Sequence, residues 1–296
     1  MTITINNLIV QYSKKQKPAL NIEHLQISEG AVAVIGENGA GKSTLFKALQ
    51  GFLPLSTGSI SKSSSSCDTF SSVQVFQSEQ CFENATVKDW IQFQGLLRGV
   101  EITPSYTNTI INMAKLNGKE KQLVINLSGG QQRNLNLLCA TFGDPDLIIL
   151  DEPTTGLDQE ARKEYWKIIN KYRHTHPTIL LFSSHYMDEV QENADQVIML
   201  SHGKVIATGS PKELIDALEI EYVVIVSKNN TSLFNLEEIE NTYDGDNLVL
   251  YVKDANRFFR HYGTMDNLIQ MGNQFRIPNM TDVYTLHYYK EKNYHA

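Results

Sequence analysis

GENGAGKST, residues 36–44, follows the apolar run AVAVI at 31–35 and passes directly into LFKALQG, which ends at Gly51. AVAVI reads as a buried strand, and STLFKALQG reads as a helix closing on a glycine. Strand, glycine-rich turn and helix form the context in which G-x-x-x-x-G-K-[ST] becomes a phosphate-binding loop. Gly36, Gly39 and Gly41 let the backbone curl until its N–H groups face the phosphates. The helix that starts at Lys42 then points its positive end at them. Lys42 is placed to neutralise the β- and γ-phosphates, and the Ser43 hydroxyl to ligate Mg²⁺. The expectation is an α/β domain that holds a nucleotide.

A second stretch, DLIILDE at 146–152, ends a buried strand with two carboxylates. Alone, such a pair would read as a helix cap or the start of a solvated loop. Beside a phosphate-binding loop, Asp151 is placed to hold Mg²⁺ through water and Glu152 to polarise an attacking water. A third stretch, LSGGQQR at 127–133, places Ser128 before a helix that begins near Gln131, so it makes another anion-binding helix N-terminus. One phosphate cannot easily be buried by two such elements of one rigid domain. A second copy, head to tail, could supply the serine and glycines in trans.

Along the chain, the N-terminal TITINNLIVQY alternates like a strand, and the serine run at 61–69 reads as a hairpin or loop before SVQVF. Thr86 with Asp89 predicts a capping box for a helix carrying Val87, Trp90, Ile91 and Leu97 at helical spacing. Strands and helices then alternate through TILLFSS to the hairpin QVIMLSHGKVIATG and the short helix PKELIDAL. Near-continuous apolar strands between helices predict a mostly parallel sheet covered on both faces. The texture changes between Leu214 and Glu221, which divides the chain into domains 1–217 and 218–296. In the second, IEYVVIVS and DNLVLYVKD read as strands with LFNLEEIENTY as a helix between them. ANRFFRHYGTM follows as a helix, QFRIPN as a strand and TDVYTLHYYKEK as a last helix, giving a small α+β appendage.

The 296 residues are 41% hydrophobic and carry a formal charge of −7, which argues against a partner bound through bulk positive charge, so no nucleic acid is expected. Cys67, Cys81 and Cys139 show no metal-ligand spacing and read as reduced thiols. The longest apolar runs fall far short of the roughly 20 residues needed to span a bilayer. A soluble, intracellular chain is expected, with any membrane part on another subunit.

Residues 1 to about 215 resemble the nucleotide-binding subunit of an ATP-binding-cassette (ABC) transporter. GENGAGKST matches the Walker A motif, LSGGQQR the family signature and LIILDEP the Walker B motif; TTGLD matches the D-loop and SSHYMDE the switch-histidine region. The resemblance implies a RecA-like core with an inserted helical signature subdomain at about 82–142, and a sandwich dimer closing on two ATP molecules. It makes Tyr12 the aromatic that stacks on adenine and places Asn38 and Thr44 with the other loop residues around the nucleotide. Ser128, Gly129, Gly130 and Gln131 would serve the opposite site in trans, and Asp158 would organise the facing sites. Gln77 would contact Mg²⁺ and water, with Gln74 and Gln80 as neighbouring candidates, and His185 would touch the γ-phosphate.

The helical region at 86–126, GKVIATGSPKEL and the appendage ending in MTDVYTLHYYK together resemble the bacterial exporter branch that handles drugs, antibiotics and antimicrobial peptides. That resemblance implies ATP and Mg²⁺ as cofactors. It also implies a multi-span permease and a second ATPase subunit, identical or related, as partners, with work at the cytoplasmic face of the membrane. The alternative is a soluble ABC ATPase acting as an ATP-driven clamp in translation or DNA repair. A single cassette, no long coiled-coil insertion and the acidic balance speak against it.

Overall fold

The computed structural model describes residues 1–13, 17–63, 70–75, 83–245 and 247–294, and the chain divides into two compact units, Met1–Ser210 and Pro211–Ala296.

The first unit opens with β1 (Thr2–Val10) and β2 (Leu20–Ser28), each burying alternate residues, so that one face of this sheet meets the core. Next come β3 (Gly30–Ile35), α1 (Lys42–Leu49), β4 (Thr57–Lys62) and β5 (Ser72–Val75). Three helices follow, α2 (Val87–Leu97), α3 (Pro104–Met113) and α4 (Gly129–Ala140). The unit continues through β6 (Leu147–Leu150), α5 (Gln159–Arg173), β7 (Ile179–Ser183) and α6 (Met187–Asn193), and closes with the hairpin β8 (Gln196–Ser201) and β9 (Lys204–Gly209). β1 lies between β2 and β4 in an antiparallel sheet, while the larger sheet runs β5-β6-β7-β3-β8-β9. Its pairings are parallel except the last, as the near-continuous burial of β3, β6, β7 and β8 predicts. Ile3, Ile5 and Leu25 from the small sheet and Val32, Leu147 and Leu181 from the large one share a single core with Leu45 and Phe46 of α1.

This topology sets the site. β6, β7 and β3 are neighbours, so the segments leaving their carboxyl ends emerge side by side, where ligands bind in open α/β sheets. They carry the two acids, His185 and the glycine-rich loop. The β8–β9 turn, at His202 and Gly203 with positive φ, props that loop from below. The Gly203 N–H donates to the Ala40 carbonyl at 2.9 Å, and a Cβ on Gly203 would stand 2.5 Å from the Ala19 oxygen. Only glycine fits there.

α2, α3 and α4 pack on one another within this unit. Thr86 and Asp89 form the capping box that the sequence predicts for α2, and Trp90 is core, 4% exposed, with its Nε1 donating to Asn136 Oδ1 at 2.8 Å. Pro104 at the first turn and Thr103 as N-cap start α3. Among the described residues no helix is long and apolar enough to cross a membrane.

The second unit holds α7 (Pro211–Asp216), β10 (Tyr222–Val226), β11 (Glu240–Asp244), β12 (Asn247–Val252), α8 (Ala255–Tyr262), α9 (Met265–Gln270), β13 (Gln274–Arg276) and α10 (Met280–Tyr294). Its antiparallel sheet runs β11-β12-β10-β13. The helix that the sequence assigned to the end of the first domain, PKELIDAL, falls in this unit as α7 and packs against α10. LFNLEEIENTY at 233–243 is not the helix expected. Leu233 ends a short 3₁₀ helix, a turn follows, and Glu240 opens β11, with Thr242 opposite Val249 and buried at 4%. The Asn241 amide donates to the carbonyls of Leu236 and Ile239, a local turn that competes with helix.

Candidate functional site

Loop 36–44 curls as the glycine spacing predicts. Gly41 takes φ 109° as N-cap of α1, and a Cβ there would lie 2.9 Å from Leu20 Cδ2 and 3.0 Å from the Ala19 oxygen. Lys42 folds back on the loop, its Nζ donating to the Gly36 carbonyl at 2.6 Å and to Glu37 at 3.2 Å. Burial pushes the Lys42 ammonium below its ordinary value, and the nearby Glu152 and Asp151 charges counter this only in part. Ala19, residues 38–44, Asp151 and Glu152 line a cavity of 520 Å³, a size suited to a small ligand. Tyr12 stands at 59% exposure with its hydroxyl 3.3 Å from Thr44 Oγ1, so the aromatic lies beside the start of α1.

The two acids follow β6 directly. Glu152 adopts φ 48°, a left-handed conformation uncommon for a residue with a Cβ. Its Oε1 meets His185 Nε2 at 2.6 Å, and its Oε2 accepts from Thr155 Oγ1 at 3.4 Å. Asp151 Oδ1 accepts from the Ser183 hydroxyl at 2.8 Å. The Ser43 hydroxyl and the Asp151 carboxylate line one cavity as hard oxygen donors, the donor set that suits Mg²⁺ when phosphates complete the coordination.

His185 itself is held by the residue before it. Ser184 Oγ donates to Glu189 Oε2 at 2.5 Å and accepts from the Tyr186 N–H at 3.0 Å. Glu189 is 4% exposed and takes a second bond from Trp166 Nε1 at 2.6 Å. Sequence reasoning did not single out Ser183, Ser184 or Glu189. A polar pair closing the apolar run TILLF was the available signal, since buried hydroxyls must find partners.

The signature residues stand apart from this cavity. Ser128 caps α4, accepting from the Gln131 N–H at 3.3 Å, and Gln131 Oε1 returns the bond to the Ser128 N–H at 3.3 Å. Gly129 and Gly130 form the first turn. None of these four lines the cavity. Arg133 ties the helix to the acid-bearing segment, donating to the Pro153 carbonyl at 2.8 Å. Asp158 is the N-cap of α5, accepting from the Ala161 N–H at 2.8 Å. Gln77 and Gln80 lie outside the described residues, as do Cys67 and Cys81, while Cys139 is buried.

The sequence profile described as "ABC transporter" matches residues 20–155. ATP-binding cassette sub-family A member 7 of Rattus norvegicus is 32% identical over 240 residues, covering 78% of this chain and 11% of the relative. The phospholipid-transporting ATPase ABCA7 of Homo sapiens is 29% identical over 254 residues, covering 82% and 12%. The chain thus spans 11–12% of the length of these relatives. Among solved structures, cbiO1 from Clostridium perfringens, described as part of the ABC transporter complex cbiONQ, is 25% identical with a TM-score of 0.64, over 72% of this chain and 90% of that one. An "ATP binding subunit of ABC transporter" is 22% identical with a TM-score of 0.62, over 74% and 93%, a likeness of fold.

Proposed function

The chain belongs to the ABC transporter family, and on that premise we propose that it binds ATP with Mg²⁺ and hydrolyses it to power transport through a separate multi-span membrane subunit. The observation that carries this reading is the convergence of Lys42, Ser43, Asp151 and Glu152 on one cavity, with His185 hydrogen-bonded to Glu152.

In this reading Lys42 and the loop N–H groups hold the β- and γ-phosphates, and Tyr12 stacks on the base. Gly36, Gly39 and Gly41 shape the loop, and Asn38 and Thr44 complete the nucleotide contacts. Ser43, Asp151 and Gln77 would hold a Mg²⁺, whose charge would neutralise that of the phosphates. Glu152 takes the proton of a water that attacks the γ-phosphorus, and the bond to the β-phosphate oxygen breaks to give ADP and phosphate. His185 orients Glu152 and the water.

The capped start of α4, with Ser128, Gly129, Gly130 and Gln131, serves the cavity of a second ATPase subunit in trans, with Asp158 at the facing edge. That arrangement suits a helix N-terminus that lies off its own cavity. Residues 1–210 are the engine and 211–296 an accessory domain. The proposed place of work is the cytoplasmic face of the membrane.

A bacterial exporter of a drug, antibiotic or peptide is the finer reading. A relative named as phospholipid-transporting shares the cassette, so an amphiphile is the cargo class that accommodates both.

Glu152→Gln tests the whole. It should bind Mg-ATP while hydrolysis falls by about 10²–10⁴, and purification with Mg-ATP from detergent-solubilised native membranes should recover a stoichiometric multi-span protein. Recovery of ribosomal or DNA-bound proteins in its place would sink the transporter reading.

A further inference from the structure

Resting on the ATPase reading, we infer that Ser183 is a positioning residue, which sets the Asp151 carboxylate and the Glu152 backbone for Mg-ATP. β6 and β7 run parallel with Leu150 opposite Phe182, so Asp151, just past the end of β6, comes beside Ser183, the last residue of β7. The Ser183 side chain lies in the core, with 0% of the residue exposed. A hydroxyl has one proton to donate and lone pairs to accept with. Here the proton goes to Asp151 Oδ1 at 2.8 Å, while the oxygen accepts from the Glu152 N–H at 2.9 Å. One buried hydroxyl therefore grips consecutive acids, one by its side chain and the other by its main chain.

The second grip matters because of the backbone it holds. Glu152 sits at φ 48°, a region that a non-glycine residue occupies only where its surroundings enforce it. Without the Ser183 oxygen the Glu152 N–H loses that acceptor and the left-handed turn loses an anchor. Without the Ser183 proton the Asp151 carboxylate loses the bond that fixes its rotamer. Partners of this kind, one step behind a metal-binding carboxylate, typically carry about 10–100-fold in metal affinity or activity.

Ser184, by contrast, turns to Glu189 and holds the backbone that precedes His185. Adjacent serines thus serve separate sides of the site, and only Ser183 touches the acids' own hydrogen bonds.

The test uses the full chain with Ser183→Ala, which removes the hydroxyl with little change of volume, and Ser183→Cys, which replaces a strong hydroxyl by a bulkier, weakly bonding thiol. Binding of a fluorescent N-methylanthraniloyl ATP is measured in EDTA and across a Mg²⁺ titration, alongside steady-state hydrolysis and nucleotide-free melting. Both variants should still melt cooperatively, at a temperature lowered by the stranded Glu152 N–H, and bind alike in EDTA. They should need about tenfold or more extra Mg²⁺ for the tight complex, and turnover should fall about 10–100-fold. A wild-type Mg²⁺ titration and turnover in either variant would overturn the assignment. So would a loss of binding in EDTA equal to the loss in Mg²⁺, which would mark Ser183 as packing alone. If the unmutated chain neither binds nor hydrolyses Mg-ATP, the ATPase reading itself falls, and that failure is visible before any variant is compared.

Discussion

His185 Nε2 lies 2.6 Å from Glu152 Oε1, so the histidine after β7 and the acid after β6 meet in one short hydrogen bond. The contact spans adjacent strands of the sheet, and each partner has its own anchor. Glu152 is held by Ser183 and Thr155. His185 follows a serine locked to Glu189, which Trp166 also holds. A geometry supported from both sides is rigid, and rigidity is what lets a base act without reorganising.

His185→Ala is expected to lower the hydrolysis rate by about 10²-fold, the lower range for a group that aids proton transfer, and to leave ATP affinity near the wild type. Turnover measured beside nucleotide binding separates these effects. Weakened binding with unchanged turnover would assign His185 to phosphate binding and not to the orientation of Glu152.

Much of the site was legible because its chemistry needs fixed spacing. The glycines that curl residues 36–44 and the acids that end LIIL had to stand in register with strands, and apolar runs announce strands. Less of the supporting structure was visible. Ser183 sits in the core for the sake of Asp151 and Glu152, and only the β6–β7 pairing shows that they come together. The second unit was least legible. LFNLEEIENTY has helical composition, but residues 240–244 pair with β12, and cross-strand packing overrides local propensity.

Trp90 and Asn136 join α2 to α4 through a buried hydrogen bond of 2.8 Å, with both residues under 10% exposed. Trp90→Phe removes the donor from a buried amide oxygen, which costs about 1–3 kcal/mol for the unsatisfied group, apart from lost packing. Asn136→Leu does the reverse to the indole N–H. The double variant should be less destabilised than the sum of the singles, because neither polar group is then left without the other. Thermal melts of the three variants check this; strict additivity would show that the bond contributes no coupling.

Asp146 supplies a pH dependence. Partial burial pushes its carboxyl up, but hydrogen bonds from Lys62 and Ser71, with the Lys62 charge, outweigh this and hold it below its ordinary 3.8. A carboxyl depressed in the folded state adds stability that is complete above the ordinary value. That contribution is lost as pH falls through the depressed one. The melting-temperature gap between wild type and Asp146→Asn should therefore be constant at neutral pH and shrink only below about pH 4. A gap that closes between pH 8 and 6 would assign the difference to another group.

Arg276 and Asp282 pin β13 to the start of α10. The guanidinium grips the carboxylate with two bonds, at 2.6 and 2.8 Å, and Asp282 also accepts from the Asn279 N–H at 2.8 Å. The Asp282 side chain is 2% exposed and that of Arg276 33%. The hydrogen bond and charge of Asp282 hold Arg276 above its ordinary value against the opposing effect of burial. Removing one partner of a buried pair strands the other charge, so Arg276→Ala should cost about 3–5 kcal/mol, far more than an exposed pair would. Replacing both, as Arg276→Met with Asp282→Leu, should recover much of that loss, because no buried charge then remains. Hydrogen exchange read across residues 211–296 of the full chain would localise the effect. Arg276→Ala should raise exchange in β10 and β12, which share the β13 sheet, while β3, β6 and β7 keep their protection. Equal loosening of both units would show that the second does not open independently.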